Sequence, residues 1–166
     1  MKLKLIKLLT ILIPFLYGNC TKDSATITIS GITERDIMGN SIGNIDPTDW
    51  KITDTWTSFE ESLFKKNNST NTATDPVPNT SIGAAGYPNP VTTLKYLAFN
   101  LLPNMYYDIR IIDHNLNIKA QFDSLKYRGI DINDSAFFKN ELYRVYYKIY
   151  SGDKVYRGHG DFVFIR

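Results

Sequence analysis

The feature that most constrains this fold is the regular alternation of apolar and polar residues in the C-terminal half of the chain. Three segments, 97–101, 105–111 and 143–149, carry a large apolar residue at every second position. Because successive side chains of a β-strand point to opposite faces, this period of two predicts strands with one buried and one solvent-facing side. The residues predicted to face inward are Leu97, Phe99, Leu101, Met105, Tyr107, Ile109, Ile111, Tyr143, Val145, Tyr147 and Ile149.

Turn-forming residues separate these segments at short intervals. Pro103-Asn104, Asp113-His114-Asn115 and Ser151-Gly152-Asp153 suit tight connections, and further strands are expected at 116–122, 129–132 and 161–165. Closely spaced short strands favour an antiparallel β-sandwich over a parallel sheet covered by helices. The sequence therefore predicts an all-β fold.

The region before this domain has a less regular pattern. Residues 25–30 alternate as one half-buried strand, and Thr57 precedes Glu60 at the spacing of a capping box, which predicts a short helix through Phe64. Trp56 is positioned to pin this helix to the main body together with Phe59 or Phe64. We therefore expect residues 20–64 to contain a tether, one strand and a short helix.

Residues 65–86 are rich in Asn, Thr, Ser, Pro and Gly and contain almost no large apolar residue. Such a composition buries little surface and is typical of a flexible loop or linker. We expect the linker to end at residue 86 and the β-sandwich domain to span 87–166.

The N-terminus has the pattern of a bacterial lipoprotein signal. Three lysines within residues 1–7 precede an apolar run of about ten residues, which is too short to span a bilayer and suits a signal peptide. The tail Leu16-Tyr17-Gly18-Asn19-Cys20 resembles a lipobox, so we expect residues 1–19 to be removed and Cys20 to be lipidated. The alternative is a plain secretory signal with an incidental cysteine.

Removal of this signal changes the charge balance. Of 166 residues 147 remain, and since three of the nineteen Lys and Arg leave, sixteen basic residues face seventeen acidic ones. This near-neutral balance argues against nucleic acid as a partner. Cys20 is the only cysteine, so the core must be stable without disulfides.

Several segments resemble the C-terminal sorting domain of type IX secretion cargo from Bacteroidetes. They are Tyr87-Pro88-Asn89-Pro90-Val91, Ile109-Arg110-Ile111-Ile112-Asp113, Ile130-Asp131-Ile132, Tyr146-Tyr147-Lys148-Ile149 and Asp161-Phe162-Val163-Phe164-Ile165-Arg166. The resemblance implies an immunoglobulin-like antiparallel β-sandwich. Residues 46–50, 54–56 and 158–161 also resemble small Bacteroidetes outer-membrane lipoproteins built on the same sandwich, and we favour this second grouping. It implies a lipid-anchored protein of the outer membrane, and Lys22-Asp23 just after the lipid site resembles surface-export signals, so we expect it at the cell surface.

The most suggestive surface is the polar side of the strand 143–150. Arg144, Tyr146, Lys148 and Tyr150 are predicted to point together toward solvent. Tyrosine with arginine is a mixture enriched in protein interfaces, and it also suits stacking on glycans. The alternative is an ordinary surface strand that uses aromatic residues for their β-propensity.

Two tryptophans form a second candidate site. Trp50 and Trp56 lie near Asp49 and Asp54, a combination that binds sugars through stacking and hydrogen bonds. The alternative is that both tryptophans are hydrophobic pins of a loop-rich segment.

Catalytic and metal-binding patterns are weak throughout the sequence. His159 stands between two glycines, but such glycines usually indicate a close backbone approach, and His114 falls in a turn. Residues 131–134 offer oxygen ligands without the spacing of a calcium loop. We therefore expect no enzymatic activity, no metal and no cofactor beyond the lipid on Cys20.

Two functions of different classes remain open. The first is an accessory protein that docks through its β-sandwich onto an integral outer-membrane protein or envelope complex. The second is a binding module for surface glycans or nutrients, which a groove lined by both tryptophans would favour. Secretion cargo with a cleavable sorting domain is a further alternative.

Overall fold

The structure, a computed structural model, describes residues 31–52, 55–64, 81–91, 96–132 and 141–165. Two antiparallel sheets pack against each other and one short helix accompanies them, which confirms the predicted all-β sandwich. Cys20 and the strand predicted at 25–30 lie outside the described residues. The elements are α1 (Ser58–Ser62), β1 (Gly83–Tyr87), β2 (Tyr96–Asn100), β3 (Tyr106–Ile112), β4 (Ile118–Leu125), β5 (Gly129–Asp131), β6 (Leu142–Ser151) and β7 (Lys154–Val163).

The order of the strands is that of an immunoglobulin-like sandwich. One sheet has the order β1-β2-β5 and the other has the order β4-β3-β6-β7, with every ladder antiparallel. In immunoglobulin lettering these are A-B-E and C′-C-F-G, so the chain crosses between the sheets after β2, β4 and β5. After β1 the chain forms a parallel bridge to the end of β7, between Val91 and Phe164.

The core lies between the inner faces of the two sheets. All eleven residues that the alternation assigned to the interior are buried in one cluster. Phe99 of β2 joins the sheets, because its ring stacks on Tyr107 of β3 at 4.1 Å and makes a T-shaped contact with Tyr147 of β6 at 5.4 Å. Such aromatic contacts supply a large apolar area without any disulfide.

The sandwich begins earlier than the sequence indicated. Strand β1 starts at Gly83, so residues 83–86 of the expected linker belong to a sheet. Their small side chains have a packing reason, since a Cβ on Gly86 would lie 2.6 Å from the ring of Trp50. Residues 65–80 lie outside the described part of the chain.

The segment 55–64 forms a third layer on the outer face of the four-stranded sheet. Its helix has the predicted capping box, in which the Glu60 amide donates to Thr57 Oγ1 at 3.3 Å and the Thr57 amide donates to Glu60 Oε2 at 2.6 Å. Trp56 stacks on Phe64 at 5.2 Å, and it makes a T-shaped contact with the ring of Tyr146 at 5.5 Å. The predicted pinning of this helix by Trp56 and Phe64 is confirmed.

Candidate functional site

The polar side of β6 does not face solvent as the sequence analysis expected. Arg144, Tyr146 and Lys148 are 8%, 1% and 9% exposed, and Tyr150 is half-buried. The alternation along the strand is correct, because these residues do point away from the core. The segment 55–64 covers Tyr146 and Lys148, whereas Arg144 is paired with Asp161 and Tyr150 donates to Asp108.

Charged groups hold the covering segment on the sheet. Glu61 accepts from Lys148 Nζ and from Arg157 Nε, each at 2.6 Å, so that one carboxylate joins β6 and β7. The Tyr146 hydroxyl donates to Glu60 Oε1 at 2.9 Å. Since these contacts are partly buried, they are screened less than pairs on an open surface.

Aromatic rings complete this contact. Lys148 Nζ lies 5.3 Å from the ring centre of Trp56 and 5.2 Å from that of Phe64. The Arg110 guanidinium lies 4.8 Å from the ring centre of Phe64, and its Nε donates to the Leu63 carbonyl at 3.0 Å. The positive charges of the sheet thus meet the negative faces of the rings, which is the geometry of cation–π attraction.

The pKa shifts of this layer agree with its geometry. Burial alone raises the pKa of Glu61, but the hydrogen bonds and charges of Lys148 and Arg157 outweigh it and hold the pKa below its usual value. Burial raises the pKa of Tyr146 and of Tyr150 well above the ordinary tyrosine value. The carboxylate is therefore ionised and the two phenols are neutral at neutral pH, an arrangement that suits structural pairing better than proton transfer.

The two tryptophans lie on opposite faces of the four-stranded sheet. Trp50 is 7% exposed and stacks parallel to Tyr147 at 6.3 Å, inside the sandwich. Trp56 contacts Tyr146 on the outer face. Because Tyr146 and Tyr147 are consecutive on β6, no groove in the described residues is lined by both tryptophans. The interpretation of both as hydrophobic pins agrees with these contacts.

The glycines around His159 permit a close approach of Trp50 to β7. A Cβ on Gly160 would lie 2.3 Å from the Trp50 ring, and a Cβ on Gly158 would meet the Lys51 carbonyl. The Trp50 amide donates to the His159 carbonyl at 2.8 Å. The interpretation of the two glycines as a tight packing contact is confirmed.

The remaining candidate ligands are scattered. His114 is exposed in its turn, with Nδ1 3.5 Å from Glu141, and Asp131 is an exposed residue at the end of β5. Residues 133–140, including Asp134, are outside the described ranges, as is Asp54. Within those ranges no group of three or more His, Cys, Asp or Glu residues could hold a metal ion.

A buried polar cluster, which the sequence analysis did not identify, ties the N-terminal segment to β7. Asp49 accepts from the Thr33 amide at 2.9 Å and from the Asp161 amide at 2.6 Å. Asn89 donates to the carbonyls of Thr33 and Asp161, and Arg144 forms a two-pronged ion pair with Asp161 at 2.8 and 2.7 Å. Burial raises the pKa of Asp49 to about 6, and the nearby charge of Asp161 contributes in the same direction. We call these five residues the polar clamp.

A second feature that was missed is an exposed hairpin, residues 34–45, which we call the apolar hairpin. Its arms are joined by hydrogen bonds from the Glu34 amide to the Asn44 carbonyl and from the Asp36 amide to the Asn40 carbonyl. Four of its side chains are large, apolar and more than half exposed, namely Ile37, Met38, Ile42 and Ile45. The signal was present in the sequence, because Asp36 followed by Gly39-Asn40 is a turn pattern with apolar residues at its centre.

An open cleft lies beside the loop that follows β2. Its volume is about 310 Å³, and its lining comprises residues 101–105 with Lys126 and Arg128. Leu101 and Met105 are buried there, whereas Lys126 and Arg128 are exposed. Register places this cleft at the Asn100 end of the three-stranded sheet, opposite to the Tyr87 end where the apolar hairpin packs.

The described residues include no helix long and apolar enough to cross a membrane. Comparison of the chain with protein-family models, with curated proteins and with solved structures found no match in any of the three.

Proposed function

We propose that this protein is a lipid-anchored, non-enzymatic accessory protein of the outer membrane, which docks its β-sandwich onto an integral membrane protein or envelope complex. The anchor is the lipid on Cys20, at the surface face of the membrane. Confinement beside the bilayer raises the effective concentration of the sandwich toward membrane partners, so that even a weak contact is occupied.

The polar clamp is the observation that carries this proposal. Gly31, the first described residue, follows Cys20 by eleven positions, and a chain of that length reaches at most about 40 Å. Within two residues of Gly31 the chain is bound to the sandwich, since Thr33 contacts both Asp49 and Asn89. An anchor at Cys20 would therefore hold a folded domain close to the bilayer on a short tether.

The use of charge inside the fold supports a role in binding rather than in chemistry. Arg144 pairs with Asp161, Lys148 with Glu61 and Arg110 with Asp123, at distances of 2.6 to 2.8 Å. These ion pairs tie strands and layers to one another. The charged side chains of these three pairs are engaged in structure and are not held unpaired for proton transfer.

The open cleft supports the second candidate function, binding of a surface glycan or nutrient. Its apolar floor and the exposed Lys126 and Arg128 suit a small acidic sugar better than the buried Trp50 and the half-buried Trp56 do. Secretion cargo is less consistent with the packing. Removal of 87–166 as a sorting domain would take away the sheet on which the segment 55–64 lies.

The anchor is tested by cell fractionation. The Cys20→Ala variant should move from the membrane pellet to the soluble fraction and lose labelling by radioactive palmitate. Ser24→Ala, which changes a residue beside the anchor but keeps Cys20, should stay in the pellet and be labelled. Retention of the unlabelled Cys20→Ala chain in the pellet, without a protein partner to hold it, would contradict the proposal.

The accessory role is tested by mild-detergent extraction of the tagged wild-type protein, followed by affinity isolation and mass spectrometry. An integral membrane protein recovered in stoichiometric amount supports the role. Recovery of the tagged chain alone, from membranes that contain the lipidated form, would contradict it.

A further inference from the structure

The apolar hairpin exposes its large apolar side chains in an ordered conformation. Ile37 and Met38 at the tip are 75% and 78% exposed. The Asp36 carboxylate accepts from the amides of Met38 and Asn40, both at 2.8 Å, and these bonds fix the turn. A contact made by an ordered tip loses less conformational entropy on binding than one made by a floppy loop.

The body of the domain supports the hairpin without covering its tip. The Arg35 amide donates to the Asn89 carbonyl at 2.9 Å, and the Asn89 amide donates back at 3.0 Å. Gly39 packs against the ring of Tyr87, where a Cβ would lie 3.3 Å from the ring. The hairpin is thus fixed at its base, and the apolar side chains at its tip are not buried in the core of the domain.

The charge of the hairpin argues for a protein rather than a lipid surface. Residues 34–45 contain two carboxylates, Glu34 and Asp36, and a single cation, Arg35. Arg35 Nη1 donates to the Gly39 carbonyl and its Nε is buried, so this cation is directed into the hairpin. Peptide segments that bind bilayers combine apolar residues with outward-facing Lys and Arg, which attract anionic lipids, and this hairpin lacks them.

We propose that the apolar hairpin is the docking element for an integral membrane protein, which receives Ile37 and Met38 in an apolar groove flanked by basic side chains. The proposal rests on the lipid-anchored accessory role, because Met38 follows Cys20 by eighteen positions and a chain of that length keeps the tip within about 65 Å of the bilayer. Methionine adapts its shape to a groove, and the acidic residues beside the tip complement a basic rim.

Site-specific photo-crosslinking in cells tests the contact directly. A photoreactive amino acid at Met38 of the full, lipidated chain should crosslink to one integral membrane protein, through a peptide that contains Lys or Arg. The same amino acid at Tyr127, which is also exposed but lies between β4 and β5, should give at least about tenfold less product. Crosslinking of Met38 to lipid alone, to no protein, or to a peptide without basic residues would overturn the proposal.

A double substitution separates docking from anchoring. Ile37→Ser with Met38→Ser should remain in the membrane pellet and unfold at the same urea concentration as the wild type, while recovery of the partner falls roughly tenfold or more. The control Tyr127→Ser should recover the partner normally. If the double variant still recovers the partner, the hairpin proposal is overturned and the accessory role stays intact. If the wild type recovers no partner either, both the hairpin proposal and the accessory role are overturned.

Vesicles test the competing lipid surface. The chain from residue 21 onward, which lacks the proposed signal and lipid, should not sediment with vesicles of phosphatidylethanolamine and phosphatidylglycerol. Sedimentation that disappears in the Ile37→Ser, Met38→Ser variant would identify the bilayer as the occupant and overturn the proposal.

Discussion

We expect this protein to lose stability as the pH rises from 5 to 7.5, because the pKa of Asp49 is raised in the folded state. A paired carboxylate usually has the opposite effect. The carboxyl group is largely buried, and both of its oxygens accept backbone hydrogen bonds, one from Thr33 and one from Asp161. Burial, aided by the charge of Asp161, raises its pKa from 3.8 to about 6. At pH 5 the Asp49 carboxyl of the folded protein therefore still holds a proton, whereas the same carboxyl of the unfolded chain has already released it.

The sign and size of the effect follow from proton linkage. A carboxyl whose pKa is higher in the folded state contributes stability below pH 3.8, and that stability is lost as the pH rises through about 6. Between pH 5 and 7.5 the linkage relation gives about 1.4 kcal/mol, reduced to about 1 kcal/mol because the group retains some contact with solvent. Asp113, whose pKa falls to about 2 because hydrogen bonds from Lys119 and Asn117 outweigh its burial, titrates below this window.

Urea unfolding at 25 °C, at pH 5 and at pH 7.5, measures the difference. The chain from residue 21 onward, which lacks the proposed signal and lipid, should unfold at roughly 0.5 M more urea at pH 5 than at pH 7.5. The side chain of the control Asp49→Asn cannot titrate, so this variant should lack this part of the pH dependence. Since it has one side-chain oxygen and not two, either the Thr33 amide or the Asp161 amide loses its acceptor. Equal or greater stability of the wild type at pH 7.5, or the same pH dependence in both proteins, would refute the reasoning.

Three further predictions concern packing and pairing, and urea unfolding of the same chain measures each. Gly160→Ala should destabilise by about 1–3 kcal/mol, because the new Cβ meets the Trp50 ring, whereas Gly83→Ala, with nothing closer than 4.0 Å, should have little effect. Arg144→Met should cost about 3–5 kcal/mol, since Asp161 stays buried without its partner. Thr57→Ala should cost about 1 kcal/mol through loss of the helix cap. A Gly160→Ala protein as stable as Gly83→Ala, or no loss in the other two variants, would contradict the contacts described.

The sandwich could be predicted because its determinants are local in sequence. Alternation along 97–101, 105–111 and 143–149 identified the core, and the capping box identified α1. Strand β7 was predicted only in part, from residue 161, although it begins at Lys154. The part that was missed, 154–160, holds Gly158 and Gly160, which lower β-propensity but leave the space that Trp50 needs.

The covered face of β6 could not be predicted from the strand itself. Arg144, Tyr146 and Lys148 have side chains that suit either solvent or a polar interface, so the alternation does not decide between the two. The deciding partners lie far away in sequence, since Glu60 is 86 residues from Tyr146 and Glu61 is 87 residues from Lys148. Pairings over such distances depend on the complete fold.

The polar clamp also determines how the domain would carry a mechanical load. If the lipid holds Cys20, a pull on the chain is transmitted among the described residues through Thr33, whose contacts lead to Asn89 and, through Asp49, to the Asp161 amide of β7. Several hydrogen bonds share this force, and Asp161 leads on to the β6–β7 ladder. With the proposed lipid anchor, a pulling force would thus be distributed over several hydrogen bonds before it reached the strand ladders.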